Sequence, residues 1–184
     1  FCTKLTSISL PTTLITLGDN CFRFSGLTSI ALPEGITALP YGCFASTKLT
    51  NIKLPKSLTE ILSPANTNSF NIGYIYNTEY RNFQKSANFN YDQSGAFYSC
   101  TKLESIDFNG AALTSLGYAI FNECDMLRNV NLSTTKLETI PRYAFYSCDS
   151  LRTVTFPATV KTIEYQAFYN DQSLESLKMP AALS

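Results

Sequence analysis

The sequence predicts a repeat solenoid: short parallel strands and turns coiled so that about seven similar rungs stack, with one insertion. Three observations predict it. A run of the form Leu-x-x-Ile-x-Leu-Pro recurs seven times along 184 residues. Six copies are followed by a second apolar pair, and five of these by a phenylalanine five residues further on. No segment keeps a 3.6-residue apolar period for ten residues, which excludes a helical bundle.

The first element is the strand. Leu5-x-x-Ile8-x-Leu10-Pro11 returns as Leu27-x-x-Ile30-x-Leu32-Pro33 and Leu49-x-x-Ile52-x-Leu54-Pro55. Later copies are Leu103-x-x-Ile106-x-Phe108, Leu127-x-x-Val130-x-Leu132, Leu151-x-x-Val154-x-Phe156-Pro157 and Leu174-x-x-Leu177-x-Met179-Pro180. Their leading Leu residues are 22, 22, 54, 24, 24 and 23 positions apart. Alternation with period two is a short strand with one face inward, and successive copies align as a parallel ladder about 4.8 Å apart. Seven rungs at that spacing span roughly 30–35 Å. Proline then removes an amide donor and ends the pairing.

The second element is the apolar pair Leu14/Leu17, Ile36/Leu39, Leu58/Ile61, Leu113/Leu116, Leu137/Ile140 and Val160/Ile163. It is expected on the convex side as a short strand or helical turn. The third is a turn closed by Phe22, Phe44, Phe121, Phe145 or Phe168, five residues beyond the pair, where the rings are expected to stack in a column. For Ile61 the matching ring is Phe97, so thirty-one residues are inserted where four normally stand. One such unit cannot bury its own apolar positions, so units bury them against each other.

The insertion, residues 62–94, differs in composition. It holds seven Asn, four Tyr and three Phe. Phe70, Ile72, Tyr74 and Tyr76 alternate with Asn71, Gly73, Ile75 and Asn77, which predicts a strand. Asn77-Thr78 can turn the chain, and Glu79–Phe83 can return as the second strand of a hairpin. The chain is therefore one domain over 1–184, with repeats in 1–61 and 95–184.

The unit Cys-x-x-Leu-x-x-Ile-x-Leu-Pro-x-x-Leu-x-x-Ile-x-x-x-Ala-Phe closely resembles the BspA-like leucine-rich repeats, most clearly in Ala144-Phe145-Tyr146-Ser147-Cys148-Asp149-Ser150-Leu151-Arg152-Thr153-Val154-Thr155-Phe156-Pro157. The resemblance implies a right-handed parallel leucine-rich-repeat solenoid. It also implies a cell-surface or extracellular protein, of the kind used by bacteria or mucosal parasites for adhesion to host or microbial partners. It supplies no catalytic residue.

Composition narrows the function independently. Fourteen Lys and Arg balance fourteen Asp and Glu, so the clustered positive charge that nucleic-acid binding needs is missing. With no His there is no imidazole for Ser-His-Asp or Cys-His catalysis, nor for a metal. No glycine-rich phosphate loop is present, no cofactor is expected, and no run approaches the roughly 20 apolar residues of a membrane span. The expectation is a protein that is not an enzyme.

Six cysteines are expected to be buried free thiols. Cys2, Cys100, Cys124 and Cys148 lie three residues before the leading Leu, where Phe24, Ser46 and Asp171 replace Cys. Cys21 and Cys43 precede the repeat Phe. A small, mildly apolar side chain suits both columns. Parallel thiols on neighbouring rungs have poor disulfide dihedrals, and a line of ligands does not converge on zinc. Free thiols argue for a reducing compartment, but buried ones are shielded from oxidation and do not oppose a surface location.

Two candidate binding surfaces follow. Strand alternation points Ser7/Ser9, Ser29/Ala31, Asn51/Lys53, Ser105/Asp107, Asn129/Asn131, Thr153/Thr155 and Ser176/Lys178 outward on the concave face. Of these, Ser105, Asp107, Asn129, Asn131, Thr153 and Thr155 are the chosen candidates. The face lacks aromatic anchors, so it suits a sugar better than a tight protein partner. One column earlier, Glu104 is expected beside Arg128 and Arg152 beside Glu175, as exposed pairs worth about 0–1 kcal/mol each. In the insertion, Tyr74, Tyr76, Asn77 and Tyr80 combine rigid contact area with adaptable hydrogen bonds. Tyrosines just after the second apolar pair (Tyr41, Tyr118, Tyr143 and Tyr165) or directly after the repeat Phe (Tyr98, Tyr146 and Tyr169) are expected to cover the outer turns. Asn131-Leu132-Ser133 matches the glycosylation sequon, but its Asn stands on an expected strand.

The expected function is binding, with a protein or glycan on host or neighbouring cells as partner. The alternative is a structural spacer within a longer surface array. The chain starts and stops mid-repeat, so a longer array or end-to-end stacking of solenoids is expected.

Overall fold

A computed structural model describes residues 2–63, 74–77, 82–85 and 95–179. Each rung presents three walls, and each wall has its own reason to exist. The first wall holds the x-Ile-x runs: β2 (Asn51–Lys53), β6 (Ser105–Asp107), β7 (Asn129–Asn131), β9 (Thr153–Thr155) and β11 (Ser176–Lys178). The middle residue points inward and its neighbours outward, and Ile52, Ile106, Val130 and Val154 are buried accordingly. β2 pairs with β6, and β7–β9–β11 form a second parallel group, all in direct register, as Asn129↔Thr153 and Val130↔Val154 illustrate.

Among the described residues, five of the seven expected first-wall strands form. The first two copies are not strands, and Ile8 is 37% exposed. Yet one hydrogen-bond series runs through all seven rungs, from the amide of Thr28 to the carbonyl of Thr6, then Thr50 to Thr28, Glu104 to Thr50, Arg128 to Glu104, Arg152 to Arg128 and Glu175 to Arg152. β6 and β7 are not paired as strands, and the 3.4 Å bond from Arg128 to Glu104 joins their rungs in this series.

The second wall carries β1 (Ala38–Leu39), β3 (Glu60–Ile61), β8 (Thr139–Ile140) and β10 (Thr162–Ile163), joined as β1–β3 and β8–β10, with a bridge from Glu60 to Ser115. Threonine hydroxyls reinforce it. Thr59 Oγ1 donates to the Thr37 carbonyl and Thr114 Oγ1 to that of Thr59, both at 3.2 Å. Further along, where Glu138 and Lys161 take the threonine positions, a 2.8 Å ion pair links the rungs instead.

The third wall is made of turns around the phenylalanine. Its rungs are bonded in one sense throughout. The amide of an earlier rung donates to the carbonyl of the next, as in Phe22 to Cys43, Phe44 to Ala96, Phe97 to Ile120, Phe121 to Ala144 and Phe145 to Ala167. Two residues before the ring, Asn20, Gly42, Ala119, Tyr143 and Gln166 have φ between 53° and 61°. Two residues after it, Phe24, Ser46, Ser99, Glu123, Ser147 and Asn170 have φ between 53° and 64°. Such a pair of left-handed residues wraps the chain tightly around each ring except Phe97, which has only Ser99, without forming a helix. No helix occurs among the described residues, so of the short strand or helical turn expected on the convex side it is the short strand that forms, as two-residue strands beside these turns.

The core is one continuous column. Phe22, Phe44, Phe97, Phe121, Phe145 and Phe168 stack face to face, with centroids 5.1–5.7 Å apart and interplanar angles of 8–22°. Leu and Ile from the other two walls pack around it.

Candidate functional site

The first wall is the widest regular display of polar side chains that the core does not use. Ser105, Asp107, Asn129 and Asn131 are exposed, and Thr153 and Thr155 are half-exposed, so all six candidates share one face. Their freedom differs. Thr153 Oγ1 donates to Asn129 Oδ1 at 2.7 Å, which fixes a hydroxyl–amide pair across β7 and β9. Asp107 Oδ1 accepts the Asn109 amide at 2.7 Å, and Asn131 Oδ1 accepts that of Ser133 at 3.0 Å. These two copies lack the proline, so an amide is left at the corner and the side chain two residues earlier satisfies it as an Asx turn. Asp107 and Asn131 thus shape the corner as well as facing outward. Of the two charge pairs expected nearby, Arg152 and Glu175 meet at 4.0 Å, both largely exposed. Glu104 and Arg128 form no ion pair.

The insertion leaves and rejoins the solenoid beside the next rung. Ser63 Oγ accepts the Tyr118 amide at 3.1 Å. A Cβ on Gly117 would lie 2.7 Å from the Leu62 carbonyl oxygen, and one on Gly95 would lie 1.8 Å from that of Ala119. Glycine is what lets both ends seat so closely. Within the insertion, β4 (Tyr74–Asn77) and β5 (Asn82–Lys85) pair antiparallel, with Tyr76 opposite Phe83 and Asn77 opposite Asn82. Tyr74, Tyr76 and Asn77 fall on β4, whereas Tyr80 and residues 70–73 lie outside the described residues. The returning strand is at Asn82–Lys85, three residues later than the Glu79 start expected for it.

Tyrosines line the third wall next to that junction. Tyr143 and Tyr146 are buried, Tyr143 meets Tyr165 edge to face, and Tyr146 stacks on Tyr169 at 5.1 Å. Tyr165 and Tyr169 remain 67% and 52% exposed.

The cysteines divide differently from expectation. Cys43, Cys100, Cys124 and Cys148 are buried free thiols, whereas Cys2 and Cys21, in the first rung of the described residues, are exposed. Cys100, Cys124 and Cys148 Sγ donate to the carbonyls of Phe44, Phe97 and Phe121 at 3.1, 3.2 and 3.0 Å. The residues sharing this column in the first two rungs are Ser25 and Thr47, not Phe24 and Ser46. The turn from Phe to the leading Leu is one residue shorter there, so counting back from Leu slips by one. Both are buried, and Thr47 Oγ1 lies 3.3 Å from Cys100 Sγ. Burial pushes the Cys100 thiol up to about 11, and raises Cys124 and Cys148 well above an ordinary thiol. These sulfurs are hydrogen-bond donors, not nucleophiles. No group of three His, Cys, Asp or Glu able to hold a metal occurs among the described residues.

A family model of the BspA type leucine rich repeat region matches residues 1–93 and 73–184, with six copies. The chain belongs to this family. BspA-type repeats therefore account for both flanks of the insertion, and the three-walled rung is their local form here. Similar solved structures are a leucine rich cell surface protein of Faecalibacterium prausnitzii (20% identity, 96% of this chain and 60% of that one, TM-score 0.42) and a leucine-rich repeat protein of Bacteroides ovatus (23% identity, 96% and 49%, TM-score 0.46). A third is a leucine-rich repeat protein of Eubacterium ventriosum (16% identity, 95% and 66%, TM-score 0.38). The chain spans about half to two thirds of the length of these proteins. A comparison with curated proteins gives no match. In this BspA-type chain no helix among the described residues is long and apolar enough to cross a membrane.

Proposed function

We propose that this BspA-type repeat domain is a non-catalytic binding module of a cell-surface or extracellular protein, and that its ligand is a glycan held on the first wall between β6 and β9. The observation that carries the reading is the Thr153–Asn129 pair, a hydroxyl and an amide locked together on a rigid ladder. Ser105 and Thr155 extend the same face on either side. Donors and acceptors repeated at about 4.8 Å suit a polyhydroxylated chain, and a pre-fixed pair loses little side-chain entropy on binding. Without exposed aromatic or unpaired apolar anchors, that wall is a poorer fit to a protein partner.

The test is a glycan array probed with the wild-type chain and with an Asn129→Ala/Thr153→Ala variant. Saturable binding that falls at least tenfold in the variant supports the reading. Binding unchanged in the variant but lost when residues 64–93 are replaced by a short turn moves the site to the insertion. Absence of any saturable ligand leaves the second reading, a spacer within a longer array, which the use of Asp107 and Asn131 as caps for their own corner amides favours.

A further inference from the structure

Asp171 stands where the thiol column continues into the sixth turn of the third wall. At the three cysteine places in that column, Cys100, Cys124 and Cys148, a thiol donor meets a phenylalanine carbonyl of the preceding rung that already accepts one amide. The Phe97 carbonyl takes the Cys100 amide at 3.1 Å and the Cys124 thiol at 3.2 Å, and the Phe121 carbonyl takes the Cys124 amide and the Cys148 thiol, both at 3.0 Å. The next acceptor is the Phe145 carbonyl, which takes the Cys148 amide at 3.1 Å. The residue placed to offer it a second donor is Asp171. Its Oδ1 accepts the Cys148 amide at 2.8 Å, while its Oδ2 is buried with no partner among the described residues.

We propose that the fold holds Asp171 as a neutral carboxylic acid, whose Oδ2–H supplies the missing donor of the column, and that the final turns of the solenoid loosen when this proton is lost. An ionised carboxylate has acceptors only, so it would set a buried negative charge against a carbonyl lone pair. The titratable groups around it do not relieve that charge. Asp149 follows Cys148 on the facing rung and raises the Asp171 carboxyl further, and the Cys148 thiol is itself raised by burial and by the acidic Asp171, Asp125 and Asp149. No ion pair to Asp171 occurs among the described residues.

Burial raises the Asp171 carboxyl. The Cys148 amide opposes this and Asp149 adds to it, leaving the group at about 7. An unfolded Asp loses its proton near 4, so between about pH 4 and pH 7 the unfolded chain binds fewer protons than the folded one. The stability contributed by the neutral form is complete below about pH 4 and is lost as pH rises through about 7.

The experiment follows the Asp171 carboxyl carbon by NMR in the full chain, and compares melting of wild type with Asp171→Asn at pH 5 and 8.5. The expected result is a titration midpoint near neutrality. Wild type should melt about 5–10 °C lower at pH 8.5 than at pH 5, with that difference abolished in Asp171→Asn, whose amide donates at any pH. A carboxyl midpoint near 4 overturns the proposal, and that measurement needs no variant. An equal pH dependence in both proteins overturns it as well.

Discussion

Phe121 touches a ring on each side, Phe97 at 5.6 Å and Phe145 at 5.4 Å, and is fully buried. Truncating it removes stacking with both neighbours and leaves a cavity in the middle of the column. Phe121→Ala is expected to cost about 3–5 kcal/mol, read from the urea midpoint. The left-handed positions offer the opposite experiment. Gln166 has φ 53°, where glycine is unstrained, and its side chain makes no hydrogen bond among the described residues. Gln166→Gly should stabilise by about 0.5–1 kcal/mol, visible as a higher melting temperature; a lower one would mean that its side chain packs usefully. The rings and the Leu positions were legible because they recur with constant spacing. The left-handed positions were not, because only Gly42 among them is a glycine while Tyr143, Phe24 and Glu123 adopt the same conformation under tertiary constraint. Ser25 and Thr47 were missed as members of the thiol column because a one-residue change in turn length is invisible until the rungs are laid side by side.

At the scale of elements, the corners after the first-wall strands come in two kinds. Proline ends the strand in most rungs, while Asp107 and Asn131 cap the corner in the two that lack it. The missing prolines could be seen in the sequence, but which side chain answered the exposed amide required the structure. The concave-face candidates could therefore be named from alternation, whereas their division into capping residues and a locked Thr153–Asn129 pair could not. The insertion is an element of another kind, since its two ends rest on Gly95 and Gly117 against neighbouring carbonyls. Replacing residues 64–93 by a short glycine-containing turn should leave the far-ultraviolet signature and cooperative melting of the rungs in place. Gly95→Ala, by contrast, pushes a methyl group into the Ala119 carbonyl and should destabilise by about 1–3 kcal/mol, measured by denaturant unfolding. If Gly95→Ala melts as the wild type does, the close approach is not maintained in solution.

For the molecule as a whole, stability is a sum of rungs and of the interfaces between them, so damage is expected to stay local. Hydrogen exchange should be slowest around Phe97, Phe121 and Phe145 and faster toward the first rung, where Ile8 is exposed and no strand forms. The third wall adds a property that no single rung has. Because the inter-rung backbone bonds of this wall run from an earlier amide to a later carbonyl, the peptide dipoles there add along the stack, much as they do in a helix. The turn at residues 18–25 therefore presents carbonyl oxygens along the stacking axis, and the turn at residues 164–171 presents amide hydrogens. The two faces are electrically unlike, and a further rung of the same kind can dock on either only if its chain runs in the same sense.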